Sequence, residues 1–237
     1  MEPRQVRSAA DARAIVEERG VNHVKVGAFD IDGIMRGKYI SRDKFLSSLD
    51  GGFGFCDVVL GWDCQDQLYD NVQYTGWHTG YPDAPVRLLP DTCRTLPFED
   101  NGLFFLGEFS PPGEAVCSRG LLRRVLERAR AMGFEAYVGF EYEFFVFKET
   151  PESVREKSYR GLTPMAPGWF GYSVIRNSTG NAFYRQLLDH CRDMDMAIEG
   201  LHEETGPGVM EAAITVDKAL AAADKAAQFK TFAKVIA

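Results

Sequence analysis

The chain is most readily bounded by what it lacks. No apolar run approaches the ~18 residues that a membrane-spanning helix needs. The first twenty residues are polar and charged, without the apolar core of a secretory signal, so no signal peptide is expected. No cluster of Lys and Arg stands out, and the net charge is −7, which makes nucleic acid an unsuitable partner. Cysteine is sparse: Cys56, Cys64, Cys93, Cys117 and Cys191 are scattered, odd in number, and form no C-x-x-C pair. That pattern excludes a disulfide framework and a zinc knuckle, and it predicts buried free thiols in a reducing cytoplasm. There is no internal repeat.

What is present suits an ordinary globular protein of one large or two smaller domains, with 237 residues, 45% hydrophobic and 26% charged. Ser8 and Gly20 bracket a short helix over 8–19. Val24, Val26 and Ala28 then alternate with other residues up to Asp32-Gly33, after which Ile34 to Ile40 reads as the return strand of a hairpin. Ser41 caps a second helix to Leu49. Residues 50–97 are rich in Gly, Asp and Pro, with strand-like pieces at Asp57–Leu60 and Pro85–Leu89. Leu103 to Leu106 reads as a further strand. Ser110-Pro111-Pro112-Gly113 marks a boundary, giving units of 1–110 and 111–237. Beyond it, Ser118 caps a helix with Leu121, Leu122, Val125, Leu126, Ala129 and Met132 on one face, ended by Gly133. A loop-rich, aromatic stretch covers 150–182. Helices are expected over 182–194 and 217–237.

Two pairs of glutamates carry the functional signal. Glu141 and Glu143 lie in Gly139-Phe140-Glu141-Tyr142-Glu143-Phe144-Phe145-Val146-Phe147, otherwise a buried-strand sequence. On a strand they share a face, roughly 6.5–7 Å apart. Glu203 and Glu211 flank the turn Gly206-Pro207-Gly208, and a hairpin bending there brings them near each other. Like charges set close together on a sheet cost stability unless something compensates. Either these faces are open to water or a divalent cation compensates both pairs, and carboxylate oxygens suit Mg²⁺ or Mn²⁺. His202, on the opposite strand face from Glu203, reads as a packed or surface histidine.

At these residues the chain resembles the glutamine synthetase superfamily, which includes the glutamate–amine (γ-glutamylpolyamine type) ligases. The resemblance rests on Gly139 to Phe145, on the Glu203-to-Glu211 segment with its Gly-Pro-Gly, and on the helix from Ala223-Asp224 through Lys234-Val235-Ile236-Ala237. Asp32 to Lys38 and Pro90 to Pro97 extend it through the amino-terminal half. It implies an α+β fold: a small β-grasp-like amino-terminal domain, then the first part of a catalytic domain whose curved sheet holds two divalent metals. By resemblance, Glu143, Glu203 and Glu211 hold the first metal and Glu141 reaches the second, which carries the phosphates of ATP. ATP phosphorylates the side chain of glutamate, and ammonia or an amine displaces the phosphate. Asp63 falls near an aspartate that receives the ammonium in a neighbouring subunit, which implies a ring-forming homo-oligomer. One of Trp169, Phe170 and Tyr172 corresponds to an aromatic lining the same pocket. Val209 replaces a polar residue that glutamine-forming members often carry, so the amine is left open.

Two other readings exist. Asp30-Ile31-Asp32-Gly33 matches the D-x-D-G opening of haloacid-dehalogenase-like phosphatases, in which the first Asp is a nucleophile at a strand end. The chain also reads as a non-catalytic relative used for structure or binding. The final helix runs off the end without Gly, Asn or Pro after its apolar stripe. This predicts a chain cut inside a domain, inactive as it stands because the remaining metal ligands and the arginines for ATP and glutamate lie beyond residue 237.

Overall fold

A computed structural model describes all residues, 1–237. The amino-terminal half is built on a five-stranded sheet. Helix α1 (Ala9–Arg19) begins where the Ser8 hydroxyl accepts the Asp11 N–H and ends at Gly20, whose φ of 62° only glycine adopts cheaply. Strands β1 (His23–Phe29) and β2 (Met35–Ser41) form the expected hairpin, with Gly33 at φ 72° in its turn. Helix α2 (Arg42–Gly51) is capped by Ser41. Strands β3 (Phe53–Cys56), β4 (Asp83–Leu96) and β5 (Gly102–Phe109) complete the sheet in the order β2-β1-β5-β4-β3. The central pair β1–β5 is parallel and every other pairing is antiparallel.

That sheet is covered on both faces, which explains the unbroken apolar run Leu103-Phe104-Phe105-Leu106. Leu103 and Phe105 join a core with Ile15 and Val16 of α1 and Phe45 of α2. Phe104 and Leu106 face the other way, into a second core built with the carboxy-terminal half.

The carboxy-terminal half comprises α3 (Ser118–Ala131), β6 (Tyr137–Val138), β7 (Glu141–Phe145), α4 (Pro151–Glu156), α5 (Val174–Thr179), α6 (Asn181–Asp193), β8 (Ile198–Glu203), β9 (Val209–Ile214), β10 (Asp217–Lys218) and α7 (Ala219–Ile236). Strands β7, β9 and β8 make a separate antiparallel sheet in that order. Helix α7 lies between the two sheets. Phe229 packs on Tyr142 and Phe144 of β7, with centroids 5.4 and 5.9 Å away, while Phe232 meets Phe104 of β5 at 5.8 Å. Its small buried residues Ala219, Ala222 and Ala226 hold the rest of this face. The alanine-rich sequence therefore serves close packing of one helix between two sheets.

Several expectations fail in informative ways. Asp57–Leu60 is a 3₁₀ turn rather than a strand, with the buried Asp57 carboxylate accepting the Thr75 hydroxyl at 2.6 Å. A four-residue apolar run does not distinguish the two. Ser118 is the first residue of α3 rather than its cap. Leu121, Val125 and Met132, expected in the core, are 55%, 55% and 67% exposed. Helix α3 docks through charge instead: Arg119 makes a bidentate pair with Asp224 of α7 at 2.8 and 2.9 Å, and Arg119 and Arg123 both reach the buried Glu108 of β5. The stretch 150–182 contains α4 and α5, each begun by a side-chain cap, Thr150 and Ser173. No helix is long and apolar enough to cross a membrane. All five cysteines are free, with Cys93, Cys117 and Cys191 buried as expected, but Cys64 exposed and Cys56 half-buried.

Candidate active site

The register of the β7-β9-β8 sheet decides which glutamates meet. Directly opposed residues share a face, so the pairs Glu143↔Glu211 and Glu211↔His202 set these three side chains in a row across three strands, each step ~4.8 Å. The next row on the same face is Glu141, Ala213 and Gly200. Two acids of β7 thus border a floor of small residues, while Tyr142 and Phe144 turn the other way onto α7. This face carries no helix of the apolar core, and Glu141 and Glu143 are exposed on it.

Glu203 is placed differently. It pairs with Met210, which is fully buried, so its side chain belongs to the opposite face from Glu211. It is 5% exposed, accepts the Tyr184 hydroxyl of α6 at 3.3 Å, and lies 3.7 Å from the Arg176 guanidinium of α5. Burial, and then the charge of Glu203, push the Tyr184 hydroxyl far up, so it stays a donor. The structure therefore brings Glu141, Glu143 and Glu211 to one face and sets Glu203 behind them.

The turn explains the parity. Pairing runs Leu201↔Ala212, His202↔Glu211, Glu203↔Met210, and closes through Glu204 N–H to Val209 O at 3.1 Å. Gly208, at φ 73°, sits where a Cβ would come 2.7 Å from the Val146 carbonyl, so the chain can fold back there only as glycine. With the bend fixed at Gly206–Gly208, the residue that shares the face of Glu211 is His202.

His202 and Glu204 are the site residues that sequence reasoning passed over. One ligand atom each from His202, Glu204 and Glu211 lies within 4.8 Å of the others. His202 Nδ1 is 3.6 Å from Glu204 and Nε2 is 3.8 Å from Glu211. The ring stacks on Tyr172 at 4.2 Å, which fixes its plane. Counting the hairpin register outward from Gly-Pro-Gly is the signal that finds His202. Of the three aromatics expected at the pocket, Tyr172 is the one in ring contact with this row. Phe170 lies under the Arg176 guanidinium at 4.8 Å, and Trp169 is 70% exposed.

The donor set fits a hard divalent cation. Carboxylates dominate it, an imidazole stands beside them, and no lysine or arginine is paired with Glu141, Glu143 or Glu211.

Asp63 is remote in its contacts from this face. Its Oδ1 accepts the N–H groups of Gln65 and Gln67 at 2.8 and 3.0 Å, and its carbonyl accepts Arg36 at 3.4 Å. Asp30 is fully occupied. Oδ1 accepts the Asp32 and Ile34 N–H groups at 3.0 and 2.8 Å, and Oδ2 accepts Arg36 Nε at 2.8 Å. It is buried in a hairpin, with no exposed oxygen, so the phosphatase reading of Asp30-Ile31-Asp32-Gly33 is wrong.

A family model described as the glutamine synthetase catalytic domain matches residues 115–237, which contain both glutamate pairs and all of the β7-β9-β8 sheet. The chain belongs to the glutamine synthetase family. It is 43% identical over 217 residues to type-1 glutamine synthetase 2 of Dictyostelium discoideum, covering 90% of this chain and 42% of that protein. It is 32% identical over 232 residues to a glutamate–isopropylamine ligase of a Pseudomonas species, covering 95% and 50%. Among solved structures, a GmaS/ADP complex superposes with a TM-score of 0.75 at 17% identity, over 95% of this chain and 49% of that one. That likeness establishes the fold, and the expected α+β class holds. The chain spans about half the length of the curated relatives it matches.

Proposed function

We propose that this chain supplies part of the active site of an ATP-dependent ligase that joins the side-chain carboxylate of glutamate to ammonia or a small amine. The observation that carries the reading is the acidic row: Glu143 faces Glu211 across one strand pairing, with Glu141 one pleat along. Opposed like charges on a strand pair are destabilising, and a bound cation would compensate them.

In this reading Glu143 and Glu211 hold one divalent cation and Glu141 a second, with Mg²⁺ or Mn²⁺ as the ions. His202 and Glu204 stand close enough to share the load at Glu211. Glu203, turned to the opposite face and held by Tyr184 and Arg176, stands outside this set. When bound, the cations neutralise the phosphate oxygens that gain charge as the phosphoryl group moves. The side chains then have ordinary tasks. The glutamate side-chain oxygen attacks the terminal phosphorus of ATP and ADP leaves. The amine nitrogen attacks the resulting acyl phosphate carbon, phosphate leaves, and the nitrogen gives up a proton. Tyr172 and His202 wall one side of this space. Asp63 receives the cationic amine, and because its carboxylate bonds only within its own loop and meets none of the glutamates of its own chain, it serves the site of a neighbouring copy in a ring-shaped homo-oligomer.

The names of two relatives support a range of amines: one is a glutamate–isopropylamine ligase and another a γ-glutamylethanolamide synthetase. Because those relatives are about twice as long, turnover is proposed to need a counterpart of their unmatched half, and this chain alone is expected to be inert. The test is an assay of ATP- and glutamate-dependent γ-glutamyl transfer to ammonia, isopropylamine and ethanolamine. It compares this chain with a version extended to the relatives' length. Activity confined to the longer version supports the reading. A longer version that binds cations yet transfers to no amine favours a non-catalytic role.

A further inference from the structure

We infer that Arg36 is a positioning residue: it holds the loop 61–69, and with it Asp63, in the orientation the loop presents to an amine. The functional half of this inference rests on the proposed role of Asp63. The structural half stands alone.

The Asp-x-Asp-Gly motif finds its purpose here. Asp30 is wholly buried, and its second oxygen seats the Nε of Arg36 at 2.8 Å. So anchored, the guanidinium turns its remaining edges outward to the loop. Nη1 pairs with Asp66 at 2.6 Å, Nη2 donates to the Asp63 carbonyl at 3.4 Å, and the plane lies over the Trp62 ring at 4.8 Å. Three loop residues are therefore gathered by one side chain fixed in the sheet.

The loop needs such a post. Asp66 has φ 61°, a left-handed conformation uncommon outside glycine that Asp adopts more readily than most residues. The Asp63 carboxylate is itself tied down through Oδ1 by the N–H groups of Gln65 and Gln67, leaving Oδ2 as the oxygen free to meet a cation. Besides Arg36, the loop is tied by the backbone bond Tyr69 N–H to Gly61 O at 2.9 Å and a bridge between Trp62 and Leu68. These close its base; the tip is closed on itself by Asp63 N–H to Gln67 O at 3.0 Å and Asp66 N–H to Asp63 O at 3.1 Å, and Arg36 ties it to the sheet. A lysine at 36 keeps the charge but cannot bond Asp30, Asp66 and Asp63 at once or stack on the indole.

The experiment is amide hydrogen exchange on the 237-residue chain, wild type against Arg36→Lys and Asp66→Asn, followed by amine kinetics in the extended ligase. The expected result is that the Gln65, Gln67 and Tyr69 amides lose protection at least tenfold in Arg36→Lys, and less in Asp66→Asn, while the β1 and β5 amides stay within threefold. In the ligase, Arg36→Lys then raises KM for the amine about tenfold and leaves kcat within threefold. If Arg36→Lys does not fold, Asp66→Asn, at a half-exposed side chain, gives the same two readouts. Unchanged loop protection overturns the inference. So does a loosened loop with unchanged amine KM when Asp63→Asn raises that KM. If Asp63→Asn itself leaves amine KM unchanged while Arg36→Lys loosens the loop, it is the Asp63 assignment that fails, and Arg36 remains the post of the loop.

Discussion

Glu143 of β7 and Glu211 of β9 stand directly opposite each other in an antiparallel pairing, on a sheet whose other face is packed against α7. Opposed like charges of this kind cost about 0.2–1 kcal/mol relative to a neutral pair. The arrangement therefore carries a signed prediction. With a chelator present and at pH 8, Glu211→Gln stabilises the chain by about that amount. With Mg²⁺ or Mn²⁺ in excess the order reverses, because the wild type gains binding free energy that the variant lacks. Thermal melts in the two buffers check it, and a variant less stable in both contradicts it.

The charged seam that docks α3 predicts a large loss on truncation. Arg119 is 10% exposed, and it serves Asp224 and Glu108, which are buried. Burial raises the Asp224 carboxyl above its ordinary value, against the pull of Arg119. Replacing Arg119 with Met leaves the buried Asp224 without its cation, while Glu108 keeps Arg87 and Arg123, and a loss of about 3–5 kcal/mol is expected in a denaturant titration. A loss below ~1 kcal/mol, as for an exposed pair, contradicts the seam.

Glu149 supplies a pH prediction. Lys157 first, then the Ser153 hydroxyl and the Thr163 N–H, hold its carboxyl down from 4.5 to about 2. A depressed carboxylate contributes stability above its unfolded value and loses it as pH falls through the folded one. The segment 149–163 therefore keeps its protection against exchange at pH 5 and loses it between about 4.5 and about 2. In Glu149→Gln that acid step is absent and protection at pH 5 is already reduced.

Thiol reactivity follows burial. Cys93 and Cys191 are pushed up to about 12 by burial, whereas Cys64 is exposed on the Asp63 loop. A disulfide reagent at pH 8 is expected to modify Cys64 first and Cys56 next. Cys93, Cys117 and Cys191 should react only at the rate of unfolding.

The local signals in the sequence were legible where a residue type is nearly obligatory. Ser8 and Gly20 bracket α1, Asp32-Gly33 bends the first hairpin, and Gly206-Pro207-Gly208 bends the second. The acidic face was legible in Glu141, Glu143 and Glu211. What escaped was parity and context. Proximity of Glu203 to Glu211 along a hairpin says nothing of which face each takes, and a register fixed by Gly208 sets His202 beside Glu211 and turns Glu203 toward Arg176 and Tyr184. Amphipathic spacing promised that Leu121 and Val125 are core, but the salt bridges of Arg119 and Arg123 orient α3 and leave that stripe outside. Such long-range ion pairs leave no periodic trace in the sequence.

The central claim is that the β7-β9-β8 face binds a divalent cation through Glu141, Glu143 and Glu211. It is tested most directly by titrating Mn²⁺ into the chain and following the free-ion paramagnetic resonance signal, for the wild type and for Glu143→Gln and Glu211→Gln. The account predicts saturable binding by the wild type and at least a tenfold weaker affinity in each variant, with Mg²⁺ competing for the same site. Wild-type binding that neither substitution weakens, or no saturable binding at all, contradicts it.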